Sequence, residues 1–324
     1  MKDICLIIPC YNSISTLDRV LLSIKNQTYK RFDVYLAVDG DEHLLEYLEF
    51  GNRYSAKVLY FDENKGAGPT RQRALDKVKL KYKYVMFVDS DDMLNPRALE
   101  ILHKAIVDTD SDIAYSNILR QLKDGTDYLI DVTNKASHAI SWCSGKLYKI
   151  SFLIKNKIRF RDDLRLNEDI YFNFVAFNST KKIVQVKETT YIWLYNDNST
   201  TSKDDSKDYH IYNIRQSILA STYSILDLAK KNKNKLDESL LAIKLINIYS
   251  ISQEAIARKI NLLNFEDEYK LLSDEIDIVK FVENHPEYYI DKLTQVSALD
   301  IGKFYYYSQT FLEFIKFAYT RTKN

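Results

Sequence analysis

The chain has almost no excess charge: 46 Lys and Arg stand against 45 Asp and Glu in 324 residues. No positive field extends from it toward a polyanion, so nucleic acid is not an expected partner. Cysteine is scarce. Cys5, Cys10 and Cys143 are odd in number and form no CxxC pair, which argues against a disulfide framework and a structural zinc site and fits a reducing compartment. Long apolar runs are also missing. Ile4 to Ile8 is too short for a signal-peptide core, and no later run nears the ~18 apolar residues of a spanning helix. A cytoplasmic protein is the expectation. Gly and Pro number only 7 and 4 and gather in loops. None of the five histidines has zinc spacing or a motif Ser or Cys beside it, so none is given a role.

What is present is an ordinary globular composition, 46% hydrophobic and 28% charged, in a chain longer than one average domain. Ile4 to Ile8 reads as a buried strand ending at Pro9, followed by a helix from Ser15 with Asp18 completing an acidic capping box. Asp33–Val38 and Ala56–Phe61 repeat the pattern, with helix Thr70–Val78 and strand Tyr84–Val88 after them. Alternating strands and helices predict an α/β fold with a mixed, mainly parallel, Rossmann-like sheet and helices on both faces; ligands then bind beyond the carboxyl ends of the strands. Past Pro96 come a helix with Leu99, Leu102 and Ile106, a strand Asp112–Tyr115, and a hairpin turning at Asp124 and Gly125. From about Ser206 the periodicity is helical. Residues 1–204 are therefore expected as one domain and 205–324 as a helical region, joined by the polar run Asn196–Asp208.

The strand ends carry the chemistry. Strand one delivers Pro9, Cys10, Tyr11 and Asn12; strand two Asp39 and Gly40; strand three Asn64-Lys65-Gly66-Ala67-Gly68; strand four Asp89, Ser90, Asp91 and Asp92. Three carboxylates within four residues repel unless a cation neutralises them, and hard oxygen ligands suit Mg²⁺ or Mn²⁺. The competing reading makes Asp91 and Asp92 caps of the next helix. The glycine loop before a helix is suited to an anion, but it has neither the GxGxxG nor the P-loop spacing, which removes dinucleotide dehydrogenases and P-loop NTPases. Arg71 and Arg73 fall in the first helical turn, where a cation needs a ligand or an acidic partner; for Arg71 a salt bridge to Asp89 is the plain alternative.

In this order, Ile8-Pro9-Cys10-Tyr11-Asn12, Asp39-Gly40, Asn64-Lys65-Gly66 with Arg71, and Val88-Asp89-Ser90-Asp91-Asp92 resemble the bacterial GT-A fold, family 2 glycosyltransferases. The resemblance covers residues 1 to about 200, the size of one domain. It implies that Pro9 to Asn12, Asp39 and Arg71 surround the nucleobase, with Asp39 accepting the uracil N3–H. Asn64 and Gly66 belong to the donor side, and Asp89 with Ser90 lies at the ribose. Asp91 binds the metal, Mn²⁺ or Mg²⁺, and Asp92 supports that loop. Downstream, Trp142 to Tyr148 and Asn167-Glu168-Asp169 resemble the acceptor-side segment, making Asp169 the catalytic base and Glu168 either its orienting partner or an acceptor contact.

Asn167 to Asp169 also reads as an acidic helix N-terminus, Trp142 equally as a core aromatic, and Lys146 either as a donor-diphosphate contact or as a solvated lysine. Two departures from the family pattern stand out. Ala37-Val38-Asp39-Gly40-Asp41 has one Asp before the Gly and no Ser, and Tyr195 to Thr200 offers no His. The function implied is metal-assisted, inverting transfer of a hexose or N-acetylhexosamine from a UDP-sugar to a glycan hydroxyl. Cell-surface polysaccharide, glycolipid or glycoprotein glycan is the acceptor class. The rivals are an inactive glycosyltransferase-like scaffold, opposed by intact Asp89, Asp91 and Asp169, and a nucleotidyltransferase, whose Gly-rich, Arg-containing loop after strand one is missing. The helical region is read as a cover or homodimer contact. Its aromatic end, Lys303 to Tyr307 and Phe311 to Ala318, is read either as a peripheral membrane contact or as a docked helix.

Overall fold

A computed structural model describes residues 2–132, 141–197, 206–232, 237–285 and 311–319. The chain divides into two compact units, Met1–Lys203 and Asp204–Asn324. The first is an α/β layer built on one nine-stranded sheet of order β3-β2-β1-β4-β8-β6-β9-β5, with β7 paired to β6.

At its centre β1 (Ile4–Cys10) lies parallel to β2 (Phe32–Asp39) and β4 (Tyr84–Phe87), and β3 (Lys57–Phe61) extends the parallel half beyond β2. Ile4 to Ile8 are wholly buried, as a strand covered on both faces requires. Pro9 does not end β1: it pairs opposite Ala37. The Ile7 carbonyl accepts from Val88 N–H on the β4 side. Two residues on, Pro9 faces that same side where β4 has already ended, so its missing N–H costs no ladder bond.

Helix α1 (Ile14–Lys25) starts one residue early and has no capping box, because Asp18 accepts from Tyr54 Oη at 2.7 Å instead. Helix α2 (Leu44–Tyr54) follows β2. Helix α3 (Ala67–Val78) begins three residues before the expected Thr70. Gly66, at φ +92°, turns the chain straight into it. Arg71 consequently sits in the second turn.

After the two-residue β5 (Met93–Leu94), α4 (Ala98–Asp108) buries Leu99, Leu102 and Ile106. The other half of the sheet is mixed: β6 (Ile113–Gln121) runs well past Tyr115 and turns through Asp124 and Gly125 into β7 (Asp127–Ile130). Antiparallel to β4 comes β8 (Lys146–Lys149), then α5 (Ile150–Lys155), α6 (Glu168–Phe177) and β9 (Ile183–Trp193).

The second unit is helical: α7 (Lys207–Lys231), α8 (Glu238–Ala257), a 3₁₀ turn (Leu262–Phe265), α9 (Glu266–Ser273), α10 (Ile278–Asn284) and a helix over 311–319. By length and composition α8 is apolar enough to cross a membrane, with mean hydropathy 1.2, contrary to the expectation that no run nears that length; half of that stretch is buried. Leu241, Leu245, Ile248 and Tyr249 serve its core. The expectation of a membrane-facing aromatic helix meets the same fate where it can be followed. Phe311, Phe314, Ile315 and Tyr319 are buried, with Phe314 against Tyr249 and Tyr269. Lys303 to Tyr307 and the chain beyond Tyr319 lie outside the described residues, as do 198–205 of the expected linker.

Candidate active site

Beyond β4 the chain turns through Asp89 to Asp92, and neighbouring elements hold that turn mainly by its backbone. Thr16 Oγ1 donates to the Ser90 carbonyl at 2.7 Å and Arg19 to the Asp91 carbonyl at 2.6 Å. Tyr191 of β9 accepts from Asp89 N–H at 3.1 Å and donates to Asp92 Oδ2 at 2.7 Å. Asp92 also accepts from Leu194 N–H, so it supports the turn and points at no ligand. Burial, with the charges of Asp89 and Asp91, holds its carboxyl well above the usual range. Asp91 is raised too, first by burial and then, against a hydrogen bond from Asn196 Nδ2 at 2.9 Å, by the charge of Asp89.

Helix α3 joins this turn to α6. Gly68 permits the approach, because a Cβ there would stand 2.3 Å from Glu168 Cγ. One turn on, the buried Arg71 donates to Asp89 at 2.5 Å and to Glu168 at 2.9 Å, with its guanidinium over the Phe160 ring at 5.8 Å. Gln72 accepts from Phe160 N–H at 3.0 Å, fixing the segment that leads into α6. Both salt-bridge and site readings of Arg71 meet here, but its partners are acids.

Glu168 and Asp169 open α6, as the helix-terminus reading expected. Burial raises the Glu168 carboxyl against the pull of Arg71. Asp169 is pushed up to about 7 by burial, then by the Glu168 charge, partly offset by Arg71. Asp169 thus changes charge near neutrality.

The β1–β3 side differs from expectation. Asp39, read as the uracil acceptor, is 2% exposed. It accepts from Lys65 N–H at 3.1 Å and Gly66 N–H at 2.8 Å, and pairs with Arg73. It ties down the glycine loop, and two N–H groups of that loop expected to face an anion are already used. The carboxylate missed by the sequence reading is Asp41, also buried, which accepts from Asn12 N–H at 2.6 Å, His43 N–H at 3.0 Å and Tyr47 Oη at 2.7 Å. Asp41 thereby holds Asn12 at φ +51° and sets the β1 loop. Tyr11 beside it is 53% exposed and open to a ligand. Pro9 and Asn64 are partly buried, with the Asn64 carbonyl taken by Arg165 at 3.2 Å.

On the acceptor side Lys146 departs from both of its readings, and Trp142 follows its core reading. Lys146 is 2% exposed and donates to the Trp142 and Ser144 carbonyls, so it is neither solvated nor at a diphosphate; burial lowers it to about 8. Trp142 packs edge-on against Trp193 at 5.5 Å and leans on the core. Asn196 and Gly68 were missed as well. Sequence gives no pointer to Asn196, 105 residues from Asp91. Gly68 stood in view as part of a glycine loop, but its role is close approach.

The family model for glycosyl transferase family 2 matches residues 5–174, just over half of the chain. The chain belongs to glycosyl transferase family 2. Glycosyltransferase GlyA of Streptococcus pneumoniae is 29% identical over 59% of this chain and 30% of its own length. Poly(ribitol-phosphate) β-N-acetylglucosaminyltransferase TarP of Staphylococcus aureus is 28% identical over 61% of this chain and 64% of its own. The match therefore spans less than two thirds of either relative. Among solved structures, S. aureus TarS 1-349 in complex with UDP-GlcNAc superposes with TM-score 0.65 over 89% of this chain and 83% of that one, at 22% identity. The shared architecture is the GT-A fold.

Family 2 chains of this fold commonly work with a divalent cation, and the donors here fit one of limited protein ligation. Among the described residues no three His, Cys, Asp or Glu form a metal cluster. Asp91, raised by burial and steadied by Asn196 Nδ2, offers its carboxylate, and a carboxylate uncomfortable with its charge gains from a cation. Mg²⁺ is typically held by one or two carboxylates, with substrate phosphates and water completing its shell.

Proposed function

We propose that this chain performs inverting transfer of a hexose or N-acetylhexosamine from a UDP-sugar to a hydroxyl of a cell-surface polysaccharide or related glycan. The observation that carries the reading is the Arg71 bridge. One guanidinium spans Asp89 at 2.5 Å and Glu168 at 2.9 Å, tying the Asp-x-Asp turn to the helix end that bears Asp169. Asp169, poised near pH 7, suits a general base that takes the proton of the attacking hydroxyl. Asp91, oriented by the hydrogen bond from Asn196 Nδ2, would hold Mg²⁺ or Mn²⁺. When bound, the ion supplies Lewis-acid stabilisation of the departing diphosphate. Tyr11 and the β1 loop, held by Asp41, form the nucleobase side.

The relatives sharpen the choice of substrate. TarP is named for N-acetylglucosaminyl transfer to poly(ribitol-phosphate) and the TarS fragment was solved with UDP-GlcNAc. UDP-GlcNAc is therefore the first donor to try, with a polyol-phosphate polymer as the first acceptor. The test is UDP release from a panel of UDP-sugars with Mn²⁺, Mg²⁺ or EDTA. One donor turned over only with metal supports the reading; silence from every UDP-sugar, with and without acceptor, overturns it.

A further inference from the structure

The edge of the sheet opposite the candidate active site, where β4 begins and β8 ends, holds a hollow of about 550 Å³. Its lining mixes Lys79, Lys83 and Lys149 with Tyr82, Leu80 and Ile154. Leu80 is 91% exposed and Ile154 47%. No folding requirement places a leucine there, since the turn between α3 and β4 needs only a short polar connection.

Charge on this edge is segregated. Each of three acids is held between two cations: Asp33 by Lys2 and Lys57, Asp76 by Lys79 and Arg159, Asp110 by Lys149 and Lys182. With the Arg31–Asp3 pair and Asp112 on the same edge, seven cations against five acids leave an excess of two positive charges. Lys81, Lys83, Lys155 and Lys157 add to it, making no ion pair among the described residues. In a chain whose formal net charge is only +1, this basic edge is matched by the acidic edge at the other ends of the strands.

We propose that the basic edge is a docking surface for an anionic lipid bilayer, with Leu80 and Ile154 entering the headgroup region and the lysines around them meeting lipid phosphates. Charge complementarity and the exposed apolar tips together favour this occupant: a soluble polyanion would use the lysines but gain nothing from Leu80. Lysines near an anionic membrane surface strengthen binding by roughly fivefold each, and the effect decays within a Debye length. Because the surface lies on the edge opposite the strand ends that carry Asp89 and Asp169, docking leaves those ends turned to the aqueous side. An acceptor polymer can reach them there.

The experiment is co-sedimentation of the full chain with vesicles of phosphatidylserine and phosphatidylcholine, about one part to three, against phosphatidylcholine alone. Binding is expected only to the anionic vesicles, falling as salt rises. Lys81→Glu with Lys83→Glu should lower the apparent affinity by at least about tenfold, and Leu80→Ser by several-fold. A second pair, Lys155→Glu with Lys157→Glu, should act in the same direction, and thermal melts check that each variant folds. Equal binding to neutral vesicles, no binding at low salt, or unchanged binding by both reversed pairs overturns the proposal. So does loss of vesicle binding to a soluble polyphosphate competitor while Leu80→Ser has no effect, which assigns the edge to an acidic polymer.

Discussion

Asp41 and Asp169 both stand at the functional edge of the α/β unit, and their surroundings treat them in opposite ways. Asp41 faces three donors, two backbone N–H groups and the Tyr47 hydroxyl. Burial works against its charge, yet those hydrogen bonds from His43, Tyr47 and Asn12 keep it below the usual carboxylate range. Asp169 is partly buried too, but receives one hydrogen bond, from Ile170 N–H at 2.8 Å, and feels Glu168 and Asp89 as like charges. Its proton affinity rises instead. A carboxylate satisfied by the fold is architecture; one left wanting a partner is available for chemistry. On that division Asp39 and Asp41 build the loops, whereas Asp91 and Asp169 carry the proposed metal and base roles.

The largest effect should come from Asp169→Asn, which keeps the shape of the side chain and removes the base. Transfer should fall about 10²- to 10⁴-fold, with UDP binding by calorimetry unchanged. In the parent chain kcat/KM should rise with pH to a plateau above about 7, because Asp169 must lose a proton before it can accept one. Full transfer by Asp169→Asn, or a flat profile, would place the base elsewhere. Asp91→Ala comes next. Metal-dependent donor turnover should drop by roughly 10²-fold or more, as expected for losing charge stabilisation of a leaving group. If added Mn²⁺ or Mg²⁺ stimulates the variant as strongly as the parent, Asp91 is not a ligand.

Much of this arrangement is legible in the sequence, and most of the misses share a cause. Buried runs such as Ile4 to Ile8, followed by polar ends, mark the strands locally through burial and periodicity. The Asp89 to Asp92 turn and Glu168-Asp169 carry local patterns as well. What one chain cannot display is which donor reaches which acid. Asp39 looked free because Lys65, Gly66 and Arg73 lie 26 to 34 residues away. Lys146 looked solvated because nothing in its neighbourhood announces that the Trp142 and Ser144 carbonyls fold over it. The α3 start was misplaced for a different reason: Thr70 has the chemistry of a cap, but Gly66 has the backbone angle.

Stability separates the two acids more sharply than activity does. Asp41→Asn retains one good acceptor and turns an amide toward three donors, so it should cost about 1–3 kcal/mol, the penalty of unmet buried hydrogen bonds. The loss is read as a lower melting temperature at pH 7. Since the folded chain holds the Asp41 proton more weakly than the unfolded one, its contribution is present above the usual carboxylate range and is lost as pH falls below that range through the lower folded value. Parent and variant should therefore converge in acid. A gap that persists there would mean that shape, and not charge, is what Asp41 provides.

The smallest expected effect has the opposite sign. Folding raises the Asp169 carboxyl from 3.8 to about 7, so the folded state resists its ionisation. The cost is nil in acid, grows as pH climbs between those values, and is complete above the higher one. Asp169→Asn should then be more thermostable than the parent at pH 8, by about 2–4 °C for each kcal/mol of strain relieved, and no different near pH 3. Melting curves of the two proteins across that range decide the matter. A variant less stable than the parent at pH 8 would show that Asp169 is satisfied in the fold as Asp41 is, and the division between them would fail.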